Sequence, residues 1–184
     1  MSNSHIIDSP EALSRLYRAP GTTSRLKVHG FLSEEMQRWL AHSPFFILAS
    51  HGEDGLDCSP RGDEPGKAFR VLDAWTIAIP DRRGNNRLDT LHNLLVDPRV
   101  GLVFLIPGIE QALRIRGSAS ISVDPDLLAD CALDGEPPAT VILVKVVAAY
   151  VQNARAIRSA HLWTDDYRKA CQDVPGASEL SGTG

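Results

Sequence analysis

The chain reads as a mainly β protein: six or seven antiparallel strands closed into a barrel, with one central helix and further helices at both ends. Three observations predict this. Apolar runs follow one another in hairpin-like succession, divided by turns rich in glycine and proline. Only one stretch among them has helical spacing, so the regular strand–helix alternation of a βαβ array is missing. One run alternates strictly: Leu113, Ile115, Gly117, Ala119 and Ile121 share one face, and Arg114, Arg116, Ser118, Ser120 and Ser122 share the other.

Taken in order, Ser9-Pro10-Glu11 supplies an N-cap, a first-turn proline and a favourable acid for a short helix through about Tyr17. Ala19-Pro20-Gly21-Thr22-Thr23 breaks it. Ser33-Glu34-Glu35 opens a second helix with Met36, Trp39 and Leu40 on one face, and His42-Ser43-Pro44 ends it. Phe45 to Ser50 is an apolar strand, Gly52-Glu53-Asp54-Gly55 a turn, and Leu56 to Pro60 the returning hairpin partner. Ala68 to Leu72 and Ala74 to Ile79 pair around Asp73. Leucines at helical spacing from Leu88 to Leu95 form the central helix, which Asp97-Pro98 stops. Val100 to Ile106 is almost wholly apolar, as a strand covered on both sides should be. Asp124-Pro125 caps a short helix, Gly135-Glu136-Pro137-Pro138 is a loop, and Val141 to Val151 is a long strand. A helical segment from Ala154 to His161 leads to Leu162-Trp163 and a polar tail expected to fray beyond about Val174. The 184 residues make one domain: a helical segment 1–44, a barrel 45–151, and an arm and tail 152–184.

A hydrophobic content of 43% with 23% charged residues describes an ordinary globular chain. A net charge of −4 argues against nucleic acid or an acidic membrane as partner, since both need a basic surface. No run approaches the roughly 20 apolar residues that cross a bilayer. Met1 to Asp8 lacks the basic-then-apolar order of a secretory signal. Cys58, Cys131 and Cys171 are odd in number and far apart, with no CxxC pair, so a reducing cytoplasm is expected. The six histidines show no metal-ligand spacing, and HExxH, GxSxG and GxxxxGK[ST] are missing, so no metal site is expected. His92 reads as a helix-surface residue and Cys58 as a small core residue.

One octapeptide runs against the acidic balance. Pro80-Asp81-Arg82-Arg83-Gly84-Asn85-Asn86-Arg87 lies where a strand hands over to a helix N-terminus. Such a terminus offers unpaired N–H groups and the positive end of the helix dipole, and guanidinium forks match phosphate oxygens. The stretch is a phosphate seat, or else a solvated basic turn with Asn86 as an ordinary N-cap. A second polar cluster, Asp57-Cys58-Ser59-Pro60-Arg61-Gly62-Asp63, ends a strand. It is a ligand rim, or a strand exit in which Arg61 makes a surface ion pair with a flanking acid. In a third cluster Arg155 and Arg158 share a helix face near Ser159 and Trp163. Either they serve a ligand, or the helix is a solvated end with Trp163 as packing anchor.

On these residues the chain resembles the pyridoxamine 5'-phosphate oxidase-like flavoproteins, whose domain is an FMN-binding split barrel. Within them it is similar to a bacterial subgroup with an SPRGD strand end, here Ser59 to Asp63, and an iPDRRGNNRLD turn, here Ile79 to Asp89. NPRVGLLF-like and LRxxGxA runs of the subgroup are matched by Asp97 to Phe104 and Leu113 to Ala119. A KAxxRSxLW pattern is partly matched by Arg155 to Trp163. The resemblance spans about Arg15 to Trp163. The chain departs from the pattern at Gln152-Asn153 (usually His-Cys), at Arg155 (usually Lys), by one extra residue between Ser159 and Leu162, and in the loop Gly66-Lys67-Ala68-Phe69. It also lacks the arginine- and histidine-bearing tail with which true pyridoxamine phosphate oxidases hold their substrate.

The resemblance implies a homodimer with FMN in a groove between subunits. The ring would lie against Cys58, Ser59, Pro60 and Arg61. The phosphate would meet the turn after Ile79 and Pro80, at Arg82, Asn86 and Arg87. The arm of the other subunit, with Arg155, Arg158 and Trp163, would close over it. It implies an FMN-dependent oxidoreductase acting on a small molecule. The cofactor would carry the redox chemistry, in keeping with the missing catalytic motifs. Alternatives are a flavin- or haem-binding carrier or sensor without turnover, and a deazaflavin-dependent reductase.

Overall fold

A computed structural model describes residues 5–17, 28–82, 84, 86–153, 155–165 and 174–181. The break at Ala19 to Thr23, Arg83 and Asn85 of the basic turn, Ala154 and Cys171 lie outside the described residues.

The strands are β1 (Phe45–Gly52), β2 (Gly55–Gly62), β3 (Arg70–Asp73), β4 (Thr76–Asp81), β5 (Arg99–Leu105), β6 (Gln111–Ser122) and β7 (Thr140–Asn153). They form one sheet in the order β2-β1-β5-β6-β7-β4-β3, every neighbouring pair antiparallel. The ladder stops at β2 on one side and β3 on the other. The barrel is therefore split, where the hairpin succession alone predicts a closed one.

The helices are α1 (Pro10–Ser14), α2 (Glu34–Leu40), α3 (Asp89–Val96), α4 (Pro125–Asp130), α5 (Arg155–Ser159) and α6 (Ala177–Ser181). Ser9, Ser33 and Asp124 cap α1, α2 and α4 by accepting hydrogen bonds from the N–H groups of Ala12, Met36 and Leu127. Two helices differ from what the sequence predicts. α1 ends at Ser14 rather than near Tyr17 and buries no residue, so nothing sustains another turn. The tail, read as frayed, holds α6, where the Glu179 carboxylate accepts from the Gly176 N–H at 2.7 Å.

The sheet wraps a core in which Phe46, Phe69 and Phe104 meet at centroid distances of 4.8 to 5.6 Å. Alternation along β6 holds as read: Leu113, Ile115 and Ala119 are buried, and Arg114, Arg116, Ser118 and Ser120 are exposed. Its pairing with β7 slips by one residue, because Arg116 faces Ala148 while Gly117 faces Val146. Val147 is the extra residue and stands exposed. The slip brings the strands so close that a Cβ on Gly117 would lie 2.5 Å from Val144 Cγ1 and 2.8 Å from the Lys145 carbonyl oxygen. The β1–β2 hairpin closes as read, with Gly52 opposite Gly55 and the latter at φ 104°.

Helix α3 packs across β1. Asn93 Nδ2 donates to the buried Ser50 hydroxyl at 3.0 Å. A Cβ on Gly52 would meet Asn93 Oδ1 at 1.9 Å and its Cα at 3.3 Å. The helix is thus set down on bare backbone at one end of β1, which fixes where its N-terminus points.

Gly117→Ala is expected to lower stability by about 1–3 kcal/mol, since a backbone oxygen cannot step aside as a side chain can. Thermal denaturation should show a fall in Tm of several degrees, on the scale of about 2–4 °C per kcal/mol for a chain of this size. An unchanged Tm would mean that the β6–β7 slip is absent in solution.

Candidate functional site

The split end of the barrel opens into a cleft of about 540 Å³. One wall is the outgoing half of β2, with Asp57, Cys58, Ser59, Pro60 and Arg61. The other is the end of β4 and the turn into α3, with Asp81, Arg82, Gly84, Asn86, Arg87, Leu88, Asp89 and Thr90; Ala139 is the last of the described lining residues. Two segments chosen independently from the sequence, the strand end and the basic turn, thus face each other across one space.

Local chemistry shapes each wall. β2 is an edge strand with no buried residue, and Pro60, which has no N–H to give, sits on it without breaking a ladder. Cys58 is exposed on this strand, so its reading as a small core residue is corrected: an apolar neighbourhood in sequence does not bury an edge strand. Asn86 adopts φ 55°, a left-handed conformation that asparagine tolerates, and it does not cap the helix. The N-cap of α3 is Leu88, and among the described residues no side-chain cap hydrogen bond closes the first turn. The ordinary-N-cap reading of Asn86 therefore fails. The α3 N-terminus reaches the cleft with its dipole uncompensated by any capping side chain.

The arginines divide by what they hold. Arg61 Nη1 donates to Asp81 Oδ1 at 3.0 Å, with side chains 26% and 18% exposed, so its partner is the far wall and neither flanking acid. Phe46 lies opposite Arg61 across β1–β2, so this pair sits directly over the phenylalanine core. Arg82 donates from Nη1 to the Cys131 carbonyl at 3.2 Å and from Nη2 to the Lys67 carbonyl at 3.1 Å, and its Nε lies 3.9 Å from Asp63. It ties three loops together, which weakens its candidacy as a phosphate ligand. Arg87 stands on the rim, 75% exposed, with its Nη2 2.7 Å from Asp89 Oδ2. Arg61 Nε and Thr140 Oγ1 are buried polar atoms that lack a partner among the described residues. Thr140 faces Asp81 across β4–β7, so both orphaned atoms belong to groups flanking one carboxylate.

Of the remaining sequence-selected residues, Ile79 lies in the barrel core and Pro80 is buried beside the cleft. Arg155, Arg158 and Trp163 do not line the cleft of their own chain. Trp163 donates its indole N–H to the Ile109 carbonyl at 3.0 Å and packs, as Val103 and Leu105 do, against the Ala112–Ile157 cluster. Arg158 binds Glu110 at 2.6 Å. His92 is on the helix surface, as read. Cys131 is buried, and burial pushes its thiol up against the opposing pull of the Arg70 and Arg82 charges. Asp57 and Asp81 lie inside the two polar clusters that the sequence marks, and Asp89 directly follows the basic turn, but their type gave no reason to single them out as ligand contacts. Ala139 lies outside both clusters. Among the described residues no cluster of histidine, cysteine and carboxylate could hold a metal, and no helix is long and apolar enough to cross a membrane.

An open antiparallel barrel with a polar cleft at its split defines the class of fold. The chain belongs to the pyridoxamine 5'-phosphate oxidase family, whose model matches residues 32–153. Among solved structures it is similar to HupZ from Group A Streptococcus, at 15% identity and a TM-score of 0.52, over 66% of this chain and 94% of that one. It is also similar to a candidate pyridoxamine 5'-phosphate oxidase from Lactobacillus delbrueckii, at 21% identity and a TM-score of 0.51, over 66% and 95%. At these identities the likeness is one of fold. No curated protein is similar enough in sequence to count as a match.

Arg82→Ala is expected to destabilise the chain by about 1–3 kcal/mol, because it leaves two carbonyls without their charged donor. Arg87→Ala, at an exposed pair, should shift stability by no more than about 0.5–1 kcal/mol. Urea denaturation of the two variants separates the roles; equal losses would contradict the division.

Proposed function

We propose that the cleft binds FMN and that the chain is an FMN-dependent oxidoreductase acting on a small molecule. The observation that carries the reading is the donor set gathered around the α3 N-terminus: a first turn with no capping side chain, an exposed guanidinium at Arg87, the Asn86 amide and, on the facing wall, the Ser59 hydroxyl. Such a set suits a phosphate. The volume of about 540 Å³ falls in the range of cofactor pockets. The low edge of β2, with Cys58, Ser59 and Pro60, suits a flat ring. Family membership supports a phosphate-bearing ligand without naming it.

Bound FMN would supply the electron or hydride transfer. The chain's own residues then have three tasks. Arg87, Asn86 and the α3 N–H groups hold the phosphate, and α3 is itself held by Asn93 on Ser50. Ser59 and the β2 backbone offer hydrogen bonds to the ring side. The Arg61–Asp81 pair closes the floor, keeping water from the core beneath it. In this reading a second copy completes the groove with its arm, bearing Arg155, Arg158 and Trp163. Contacts to Ile109 and Glu110 hold the arm against its own barrel, which supports that use.

Arg87→Ala should weaken FMN binding about 10- to 150-fold, the equivalent of one charge-assisted hydrogen bond of roughly 1.5–3 kcal/mol. Riboflavin, which has no phosphate, should be nearly indifferent to the change. Fluorescence titrations showing equal weakening for both would remove Arg87 from the phosphate site.

The purified protein loaded with FMN should be yellow, should bleach with NADH or NADPH, and should scatter light as a dimer of the 20.0 kDa chain. A Soret band in place of flavin absorption would favour a haem carrier. Flavin that only dithionite reduces would favour a carrier without turnover. A monomer holding FMN tightly would overturn the shared groove.

A further inference from the structure

Among the described residues each arginine lining the cleft faces a carboxylate, and the three pairs differ in what opening them would cost. Arg61–Asp81 and Arg82–Asp63 are half-buried and join separate elements. Pulling the carboxylate from either would strand a charge in a poorly solvated place. Arg87–Asp89 is different. The residues are two apart in sequence, and the side chains are 75% and 51% exposed. An exposed ion pair of this kind is worth little on its own.

Its geometry is nevertheless that of a ligand. Nε and Nη2 of Arg87 converge on the same Asp89 oxygen at 2.9 and 2.7 Å, using the edge of the guanidinium that would fork onto a phosphate. Asp89 is also the first residue of α3, so its charge lies at the positive end of the helix dipole, where an anion would bind. The carboxylate thus has both attractions that define the anion site.

We propose that Asp89 is a specificity-determining residue, an internal carboxylate that an incoming phosphate must displace from Arg87. The proposal rests on the reading of this cleft as a phosphate seat. After displacement Asp89 cannot leave, because it is fixed to the helix whose terminus the phosphate approaches. It therefore continues to repel. Its effect grows with the charge of the ligand: none for a neutral flavin, most for a terminal phosphate that is doubly charged at neutral pH. The residue weakens adventitious anions held only by Arg87, and leaves the cleft to ligands that add ring contacts along β2.

The test is titration of the full-length wild type, Asp89→Asn, Asp89→Ser and Arg87→Ala with FMN and with riboflavin, at low and at moderate salt. Both Asp89 variants should bind FMN about two- to fivefold more tightly than wild type, with the gain shrinking as salt rises. Riboflavin affinity should not move. If the Asp89 variants bind FMN no better than wild type while Arg87→Ala still binds it worse, Asp89 does not compete and the proposal falls, though the phosphate seat stands. If Arg87→Ala weakens FMN and riboflavin alike, the seat itself is misplaced and the proposal falls with it. Asp89→Ser serves as the second variant because serine is also well tolerated at a helix start. A gain in both variants that is equal for the two flavins would mark a change in cleft shape and would also overturn competition.

Discussion

A sheet that fails to close by one strand pair has to defend the gap, and here the defence is the Arg61–Asp81 ion pair. β2 and β3 end the ladder with no strand between them, so the barrel mouth would otherwise open onto Phe46 and the rings packed against it. The pair reaches from the edge strand β2 to β4, one strand in from the opposite edge, and lies over that core. Arg82, next in sequence to Asp81, repeats the device through backbone carbonyls of Lys67 and Cys131. Unpaired edges are usually a liability. In this chain charged side chains turn the gap into a polar-floored cleft.

What stands above that floor depends on α3. Gly52 and the Asn93–Ser50 hydrogen bond seat the helix on β1, and the left-handed Asn86 turns the chain into it without providing a cap. The helix start is therefore held in place without a capping side chain among the described residues, with the Asp89 carboxylate alone in its first turn. Combined with Arg87 on the rim, that start is the anion seat proposed above, with Asp89 as its proposed restraint. Fold and site are linked at this point: the residues that seal the barrel also decide which groups remain to meet a ligand.

Much of this was legible in the sequence wherever the signal was local. Serine and aspartate caps, the two-residue hairpin between Gly52 and Gly55 and the alternation of β6 are each encoded within a few residues, and each appears in place. So does the juxtaposition of strand end and basic turn, because both motifs were visible and the topology brings them together. What could not be read depends on contacts between distant residues. Asp81 rather than a neighbouring acid holds Arg61, and Arg82 reaches a carbonyl 49 residues away. The extra residue at Val147 follows from pairing register, and the exposure of Cys58 from β2 lying at an edge. Apolar content predicted a strand in each case, yet only the sheet order says which strands are covered.

The central claim is that the α3 N-terminus and Arg87 form a phosphate seat facing β2. A crystal structure of the full chain grown with FMN tests it most directly. The account predicts the phosphate within hydrogen-bonding distance of the first N–H groups of α3 and of the Arg87 guanidinium, with Asp89 turned away and the ring along Ser59 and Pro60. A phosphate bound elsewhere, with Arg87 still on Asp89, would contradict it.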